Sequence, residues 1–169
     1  MLNELHVVVA FGVNGEWSTD DKIPFYSKED MRHFKRITLN KNVMMGHGTY
    51  ESLTKIDNDP LRDRNKLYVI TSDVRKLSSK DKIFTFITYE EALEIIAKET
   101  IYLIGGYGLV CGLATHVDYW HISNISEEYI VSTEHTVKHN WRTDLPLGKL
   151  VSVETNPEFT YLLYKGFKS

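Results

Sequence analysis

Short apolar runs rich in β-branched residues recur along the chain, and they constrain its fold more than any other feature. These runs are residues 5–10, 42–45, 66–71, 101–104 and 117–122. Several show little alternation between apolar and polar residues, as expected of strands that are covered on both faces of a sheet. The pattern therefore predicts a central, mostly parallel β-sheet.

Segments with helical character lie between these runs. Residues 27–38 place apolar side chains on one face, residues 88–91 read as a capping box that opens a helix to residue 98, and residues 107–114 follow a glycine pair. Strands that alternate with helices predict an α/β domain with helices flanking the sheet. The runs at 149–154 and 159–167 have no helix between them, so we expect an antiparallel pair that closes one sheet edge.

Composition narrows the class of protein. At 169 residues, 42% hydrophobic, the chain fits one globular domain. The 20 basic and 23 acidic residues give a net charge of −3 without a basic stripe, which argues against nucleic acid as a partner. The chain has one cysteine, no basic signal region at its start and no long apolar run, so we expect a cytoplasmic protein without a membrane span.

Two strand ends run into glycines, at residues 44–49 and 103–108. In an open α/β sheet such junctions offer free backbone N–H groups to anions, and the pair could hold a pyrophosphate from two sides. Neither junction matches the G-x-G-x-x-G fingerprint, and glycine also occurs at strand ends merely to turn the chain. Both interpretations remain open from these residues alone.

An acid stands at the start of the amphipathic segment 27–38. Asp30 and Phe34 are four residues apart and share one helix face with Met31, which would place a carboxylate among apolar side chains. Burial of an acid is costly unless it has a partner. The alternative is a capping box, with Ser27 as N-cap and Asp30 as its third residue.

These pieces, taken together, resemble the dihydrofolate reductase family. The similar segments occur in the family's order, at residues 7–15, 23–25, 30, 34–46, 49–53, 60–61 with 64, and 104–106, within the stretch from residue 7 to 125. The resemblance implies one domain over residues 1–169, an eight-stranded sheet, and an adenosine-binding subdomain near residues 42–98. It also implies NADPH-dependent reduction of dihydrofolate by a monomer that binds antifolate inhibitors.

On the substrate side, the resemblance implies a catalytic group of Asp30, Ser123 and Ile23, in which Asp30 hydrogen-bonds the pterin and the Ser123 hydroxyl supports it. It implies an apolar slot for the substrate's rings, formed by Met31, Phe34, Leu61 and Ile104. It further implies that Arg64 binds the substrate's α-carboxylate, which suits guanidinium geometry.

On the cofactor side, the resemblance implies a nicotinamide contact at Ala10 and a Gly105–Gly106 pair that the family joins through a cis peptide. The full set of cofactor-binding residues that it implies is Ala10, Trp17, Gly46, His47, Gly48, Thr49, Thr71, Ser72, Gly105, Gly106, Tyr107 and Gly108. No metal site is implied.

The chain departs from the family pattern where basic residues usually grip the 2′-phosphate of NADPH. Those positions hold His47 and Gly108, so the preference for NADPH over NADH is expected to be weakened, although Ser72, Arg75 and Lys76 could compensate. Phe25 replaces a tryptophan, and Val110 replaces a phenol near the nicotinamide.

Three further features have structural interpretations. His135 and His139 have the spacing of a helical metal pair but no completing acid or thiol, so they are expected to be solvated. Residues 132–145 are expected to form a loop and a divergent edge, and Cys111 is expected in the core. The rival functions are a related reductase of riboflavin biosynthesis, against which Asp30, Phe34 and Arg64 argue, and an inactive homologue retained as a binding protein.

Overall fold

The computed structural model describes residues 3–19, 23–54, 61, 63–73, 75 and 83–168. Within these residues the strands, in chain order, are β1 (Leu5–Gly12), β2 (Glu16–Thr19), β3 (Asn42–Gly46), β4 (Lys66–Ile70), β5 (Phe84–Ile87), β6 (Ile101–Leu103), β7 (Tyr119–Ile125), β8 (Thr136–Lys138), β9 (Lys149–Thr155) and β10 (Phe159–Lys165). The helices are α1 (Lys28–Thr38), α2 (His47–Thr54), α3 (Tyr89–Lys98), α4 (Tyr107–Gly112) and α5 (Trp141–Asp144).

The main sheet has eight strands in the order β5-β4-β3-β6-β1-β7-β10-β9. The pairs from β5 to β7 are parallel, and the pairs that β10 makes with β7 and β9 are antiparallel. The predicted α/β class, mostly parallel sheet and antiparallel C-terminal edge are therefore confirmed. Because β1, β3 and β6 run the same way, their carboxyl ends meet at one edge, where the glycine turns follow β3 and β6.

Helices cover both faces of this sheet, as the unbroken apolar runs predict. Val7 and Phe11 of β1 belong to the core cluster that also holds Ala92 of α3 and Val110 of α4. Val8 points the other way, into a second cluster packed by side chains of α1 and α2. Alternate residues of one strand thus support two separate cores.

Two helices begin directly after residues whose side chains cap them. Thr88 and Glu91 form a complete capping box at α3, as predicted. At α1, Ser27 is the N-cap, and its hydroxyl accepts a hydrogen bond from the Asp30 backbone N–H at 3.0 Å. α4 ends at Gly112, two residues before the predicted boundary, and a short 3₁₀ turn follows at Ala114–His116.

The predicted loop at residues 132–145 is wrong in part. β8 lies inside this segment and pairs antiparallel with β2 in a separate two-stranded sheet, and the short helix α5 follows. His139 donates its backbone N–H to the Gly15 carbonyl oxygen at 2.9 Å. The segment therefore pairs with the chain that follows β1.

Two smaller expectations also change. Cys111 is exposed rather than in the core, because α4 turns it away from the buried face that carries Val110. His135 and His139 do not share a helix, since β8 lies between them. No helix in the described ranges is both long enough and apolar enough to cross a bilayer.

Candidate active site

A cavity of about 350 Å³ opens where β1, β6 and β7 meet α1 and α2. Most of the residues that the sequence singled out come together here. Those that line the cavity are Ala10, Trp17, Ile23, Asp30, Met31, Phe34, Gly48, Thr49, Ile104, Gly106 and Ser123.

Asp30 reaches the cavity from the first turn of α1. Its backbone N–H binds the Ser27 hydroxyl, and that hydroxyl donates to Glu158 Oε1 at 2.7 Å. The Asp30 carboxyl itself lies in the cavity and interacts with the side chain of Ser123. The capping-box interpretation is therefore wrong for the carboxyl, because only the backbone of Asp30 takes part in the cap.

The surroundings of Asp30 favour its protonated form. Burial raises the pKa of the carboxyl to about 6, the nearby Glu158 adds to the rise, and the Ser123 side chain opposes it. An acid with a pKa near neutrality in a cavity is typical of functional sites, because either protonation state is accessible there.

An apolar slot adjoins this acid. Met31 and Phe34 of α1 face Ile104, which follows β6, and all three line the cavity. Leu61 is 4% exposed and belongs to the core cluster behind Phe34 and Ile104 rather than to the cavity lining. The slot therefore has aromatic and aliphatic walls suited to a flat ring system.

Arg64 lies outside the cavity lining, at the far end of α1. Its Nε donates to Thr38 Oγ1 at 2.8 Å, so the helix that carries Asp30 also holds this guanidinium. A second arginine nearby in the sequence, Arg62, could bind the same carboxylate, but Arg62 and Lys76 fall outside the described residues.

The two glycine turns meet at the edge of the sheet. The Gly46 N–H donates to the Gly105 carbonyl oxygen at 2.8 Å, and the Gly105–Gly106 bond is cis, as the resemblance implies. A Cβ on Gly105 would stand 3.0 Å from Thr49 Oγ1, whereas one on Gly48 or Gly108 would meet no atom within 4 Å. At the starts of α2 and α4, the backbone of Gly48 and Gly108 is therefore not covered by other atoms. This leaves room for a pyrophosphate group to approach the backbone.

At the expected adenosine end, His47, Thr71 and Arg75 each contact a neighbouring residue. His47 Nδ1 lies 3.3 Å from Glu51 Oε1, one helical turn along α2. Thr71 is buried and accepts from the Asp73 N–H at 3.0 Å, while Arg75 is exposed and pairs with Asp73 at 3.2 Å. Ser72 is exposed, so this end of the site is open to solvent.

Tyr107 connects the expected cofactor site to the segment that carries β8. Its ring stacks on His139 with centroids 3.7 Å apart, and its hydroxyl donates to Asp144 at 2.9 Å. Trp17 packs edge-on against the same ring at 5.7 Å. His139 is therefore an aromatic packing partner, and no metal-binding group of three His, Cys, Asp or Glu side chains occurs among the described residues.

Sequence reasoning missed several residues of the cavity wall. The missed residues are Val8, Val9, Ser18, His33, Ser52 and Leu53, and the wall also includes Phe25, the residue that replaces the family's tryptophan. For His33 a signal was present, because it lies three residues after Asp30 and so on the same helix face. Ser52 and Leu53 carry no comparable signal, since α2 has weak amphipathic character and its orientation depends on packing.

Comparisons with known proteins agree with this geometry. The sequence model of the dihydrofolate reductase family matches residues 4–143. The chain is 30% identical over 117 residues to dihydrofolate reductase of Ureaplasma parvum, covering 69% of this chain and 72% of the relative. It is 27% identical over 128 residues to the type 9 enzyme of Escherichia coli, covering 72% and 70%.

The fold is also that of a solved structure. Dihydrofolate reductase from Enterococcus faecalis, complexed with NADP(H) and RAB-propyl, superimposes with a TM-score of 0.75 over 99% of this chain and 100% of that chain, at 19% identity. With the family match over residues 4–143, the chain belongs to the dihydrofolate reductase family.

Proposed function

We propose that the protein reduces 7,8-dihydrofolate to 5,6,7,8-tetrahydrofolate by hydride transfer to C6 of the pterin and protonation at N5. As a dihydrofolate reductase it is an oxidoreductase that uses NADPH. The observation that carries the proposed reaction is the position of the Asp30 carboxyl in an apolar cavity beside two glycine turns.

Asp30 is proposed to bind the pyrimidine edge of the pterin. A carboxylate has two acceptor oxygens, which match the ring N3–H and one N–H of the 2-amino group. N5 lies on the other ring, so Asp30 cannot deliver its proton there directly. Its negative charge instead favours the protonated pterin, while water that enters beside residues 12–19 and 23–25 supplies the proton.

The remaining substrate contacts divide between the slot and the arginine. Met31, Phe34 and Ile104 are proposed to hold the rings, with Leu61 supporting the wall from behind. Ile23, a residue that is 48% exposed, is proposed to cover the mouth. Arg64 is proposed to bind the α-carboxylate of the glutamate tail. These contacts position the rings and exclude water.

On the cofactor side, NADPH supplies the hydride from C4 of its nicotinamide when it is bound. We propose that Ala10 binds the carboxamide and that Trp17 and Tyr107 close the nicotinamide end. The two glycine turns would hold the pyrophosphate, and His47, Thr71 and Ser72 would lie at the adenosine end. The open backbone at Gly48 and Gly108, where an added Cβ would meet no atom within 4 Å, supports this assignment.

We further propose that the protein is a cytoplasmic monomer that binds antifolate inhibitors, with residues 42–98 forming the adenosine-binding subdomain. Size-exclusion chromatography with light scattering would test the monomer.

A spectrophotometric assay of NADPH oxidation with dihydrofolate tests the proposed reaction. Wild type should turn over, and Asp30→Asn should fold but lose roughly 100-fold or more of kcat near pH 7, because an amide cannot favour pterin protonation. Asp63→Asn is the matched control, since this exposed residue has a backbone φ of 64° that asparagine tolerates.

The outcomes separate the alternatives. Full activity in Asp30→Asn would limit Asp30 to a structural role in α1. A folded wild type with no dihydrofolate-dependent oxidation would indicate an inactive homologue kept for binding.

A further inference from the structure

His33 is a buried imidazole in the cavity wall to which the proposed reaction gives no role. It lies on α1 three residues after Asp30, so both side chains share one face of the helix, and both line the cavity. Only 6% of His33 is exposed. Its ring packs edge-on against Tyr161 at 4.4 Å and tilted against Phe159 at 5.2 Å, measured between centroids.

One nitrogen of this ring is unsatisfied. Among the residues that the structure describes, no hydrogen-bond partner reaches His33 Nε2, although the atom is buried. Polar atoms that are buried without a partner are rare and costly. In the wall of a ligand cavity, such an atom indicates a hydrogen bond that the ligand completes.

The environment also keeps the ring uncharged. Burial, together with the positive charge of Arg36, lowers the pKa of His33 to about 4. At neutral pH the imidazole therefore has one N–H and one lone pair. With the proton on Nδ1, Nε2 is an acceptor.

The surface beneath His33 is held by a chain of hydrogen bonds across three strands. Tyr161 bonds His121 Nδ1 at 2.7 Å, and His121 Nε2 bonds His6 Nδ1 at 2.9 Å. His6 Nε2 bonds Glu4 Oε1 at 3.1 Å. Because a carboxylate only accepts, each ring donates toward Glu4, and the Tyr161 hydroxyl donates to His121. The chain fixes the Tyr161 ring on which His33 rests.

We propose that Nε2 of His33 accepts a hydrogen bond from the 2-amino group of the substrate, directly or through one water molecule. The assignment rests on the proposed function, in which Asp30 takes N3–H and one amino N–H. The second amino N–H then needs an acceptor, and His33 offers one on the same helix face. His33 is thus a specificity-determining residue for a 2-aminopyrimidine ring.

Equilibrium binding of two ligands tests this role. Dihydrofolate and an analogue with a 2-methyl group in place of the 2-amino group are titrated into wild type, His33→Phe, His33→Gln and His33→Asn. For dihydrofolate, His33→Phe and His33→Asn should raise Kd by about 5- to 20-fold. His33→Gln should recover most of the loss, because its amide reaches the position of Nε2. The 2-methyl analogue should bind wild type and His33→Phe within about 2-fold.

Lys35→Gln, on the exposed side of α1, should leave both affinities unchanged. Thermal unfolding reports whether each variant folds. If His33→Phe does not fold, the comparison of His33→Gln with His33→Asn tests the role of His33. Equal loss for both ligands, or no loss for either, would overturn the role of His33. A wild type that neither binds dihydrofolate nor oxidises NADPH with it would instead remove the proposed function and this assignment together.

Discussion

The Nε atom of Arg64 donates to Thr38 Oγ1 at 2.8 Å, and Thr38 is completely buried. The same hydroxyl donates to the Phe34 carbonyl oxygen at 2.8 Å, so its lone pairs are turned toward the guanidinium. The last turn of α1 therefore orients Arg64, while the first turn of the same helix carries Asp30.

We expect this pair to control substrate affinity. Thr38→Val keeps the volume but removes the hydroxyl, and it should raise KM for dihydrofolate about 3- to 10-fold with little change in kcat. Arg64→Leu should raise KM further, because a carboxylate contact remote from C6 binds ground and transition states alike. Thr38→Ser should behave like wild type. Steady-state kinetics would contradict the assignment if Arg62→Leu, and not Arg64→Leu, gave the large KM effect.

Asp30 should make the unliganded protein less stable at neutral pH. Burial, aided by Glu158, raises its pKa to about 6 from 3.8, so the folded protein holds the proton more tightly than the unfolded chain. The resulting stabilisation is complete below the unfolded value and is lost as pH rises through about 6. Asp30→Asn should therefore exceed wild type in free energy of unfolding by about 1–3 kcal/mol at pH 8, and by little at pH 4.

Urea unfolding at both pH values measures this difference. Asp63→Asn removes an exposed negative charge and controls for the change in net charge. If Asp30→Asn gained no stability at pH 8, the ionised carboxyl would have to be better solvated than its burial implies.

Gly105 should not tolerate a side chain. Its φ of +141° is strained for other residues, and a Cβ would stand 3.0 Å from Thr49 Oγ1. Gly105→Ala should lower the free energy of unfolding by about 1–3 kcal/mol and raise KM for NADPH. Gly112→Ala is the control, because its Cβ would meet nothing nearer than 3.9 Å. Equal stability of the two variants would show that the turn after β6 adapts to a methyl group.

The sequence could predict the main sheet because each inner strand is an apolar run that neighbours cover on both faces. β2 and β8 gave no such signal. They are short and partly polar, and their pairing joins residues far apart in the chain. β2 also begins with Glu16, a 2% exposed acid whose Oε1 accepts from the Asn14 N–H at 2.8 Å. From the sequence alone, an acidic residue in that position predicts an exposed site, because its hydrogen-bond partner becomes apparent only in the tertiary structure.

The candidate site was predictable where local sequence determines geometry. Asp30, Phe34 and the glycine turns are fixed by helix periodicity and strand ends, and the structure brings them to one cavity. The burial of His33 Nε2 without a partner among the described residues was not predictable, because it depends on β10 packing against α1. Side chains that meet across the sheet are determined by topology rather than by spacing in the sequence.

The expected discrimination between NADPH and NADH depends on His47 and its neighbour. A 2′-phosphate carries nearly two negative charges at neutral pH, so its recognition requires positive groups near the adenosine ribose. His47 Nδ1 is 3.3 Å from the Glu51 carboxylate, which adds a negative charge beside the expected phosphate. An arginine in this position would offer two parallel hydrogen bonds and a permanent positive charge to the phosphate, and an imidazole offers neither.

We therefore expect a weaker preference for NADPH over NADH than the family's usual basic residue would give. The ratio of kcat/KM for NADPH to that for NADH should be higher in His47→Arg than in wild type, because the guanidinium is always charged. Glu51→Gln should also raise the ratio, since it removes the competing carboxylate. If both variants left the wild-type ratio unchanged, His47 would lie outside the cofactor site and Arg75 or Lys76 would bind the phosphate.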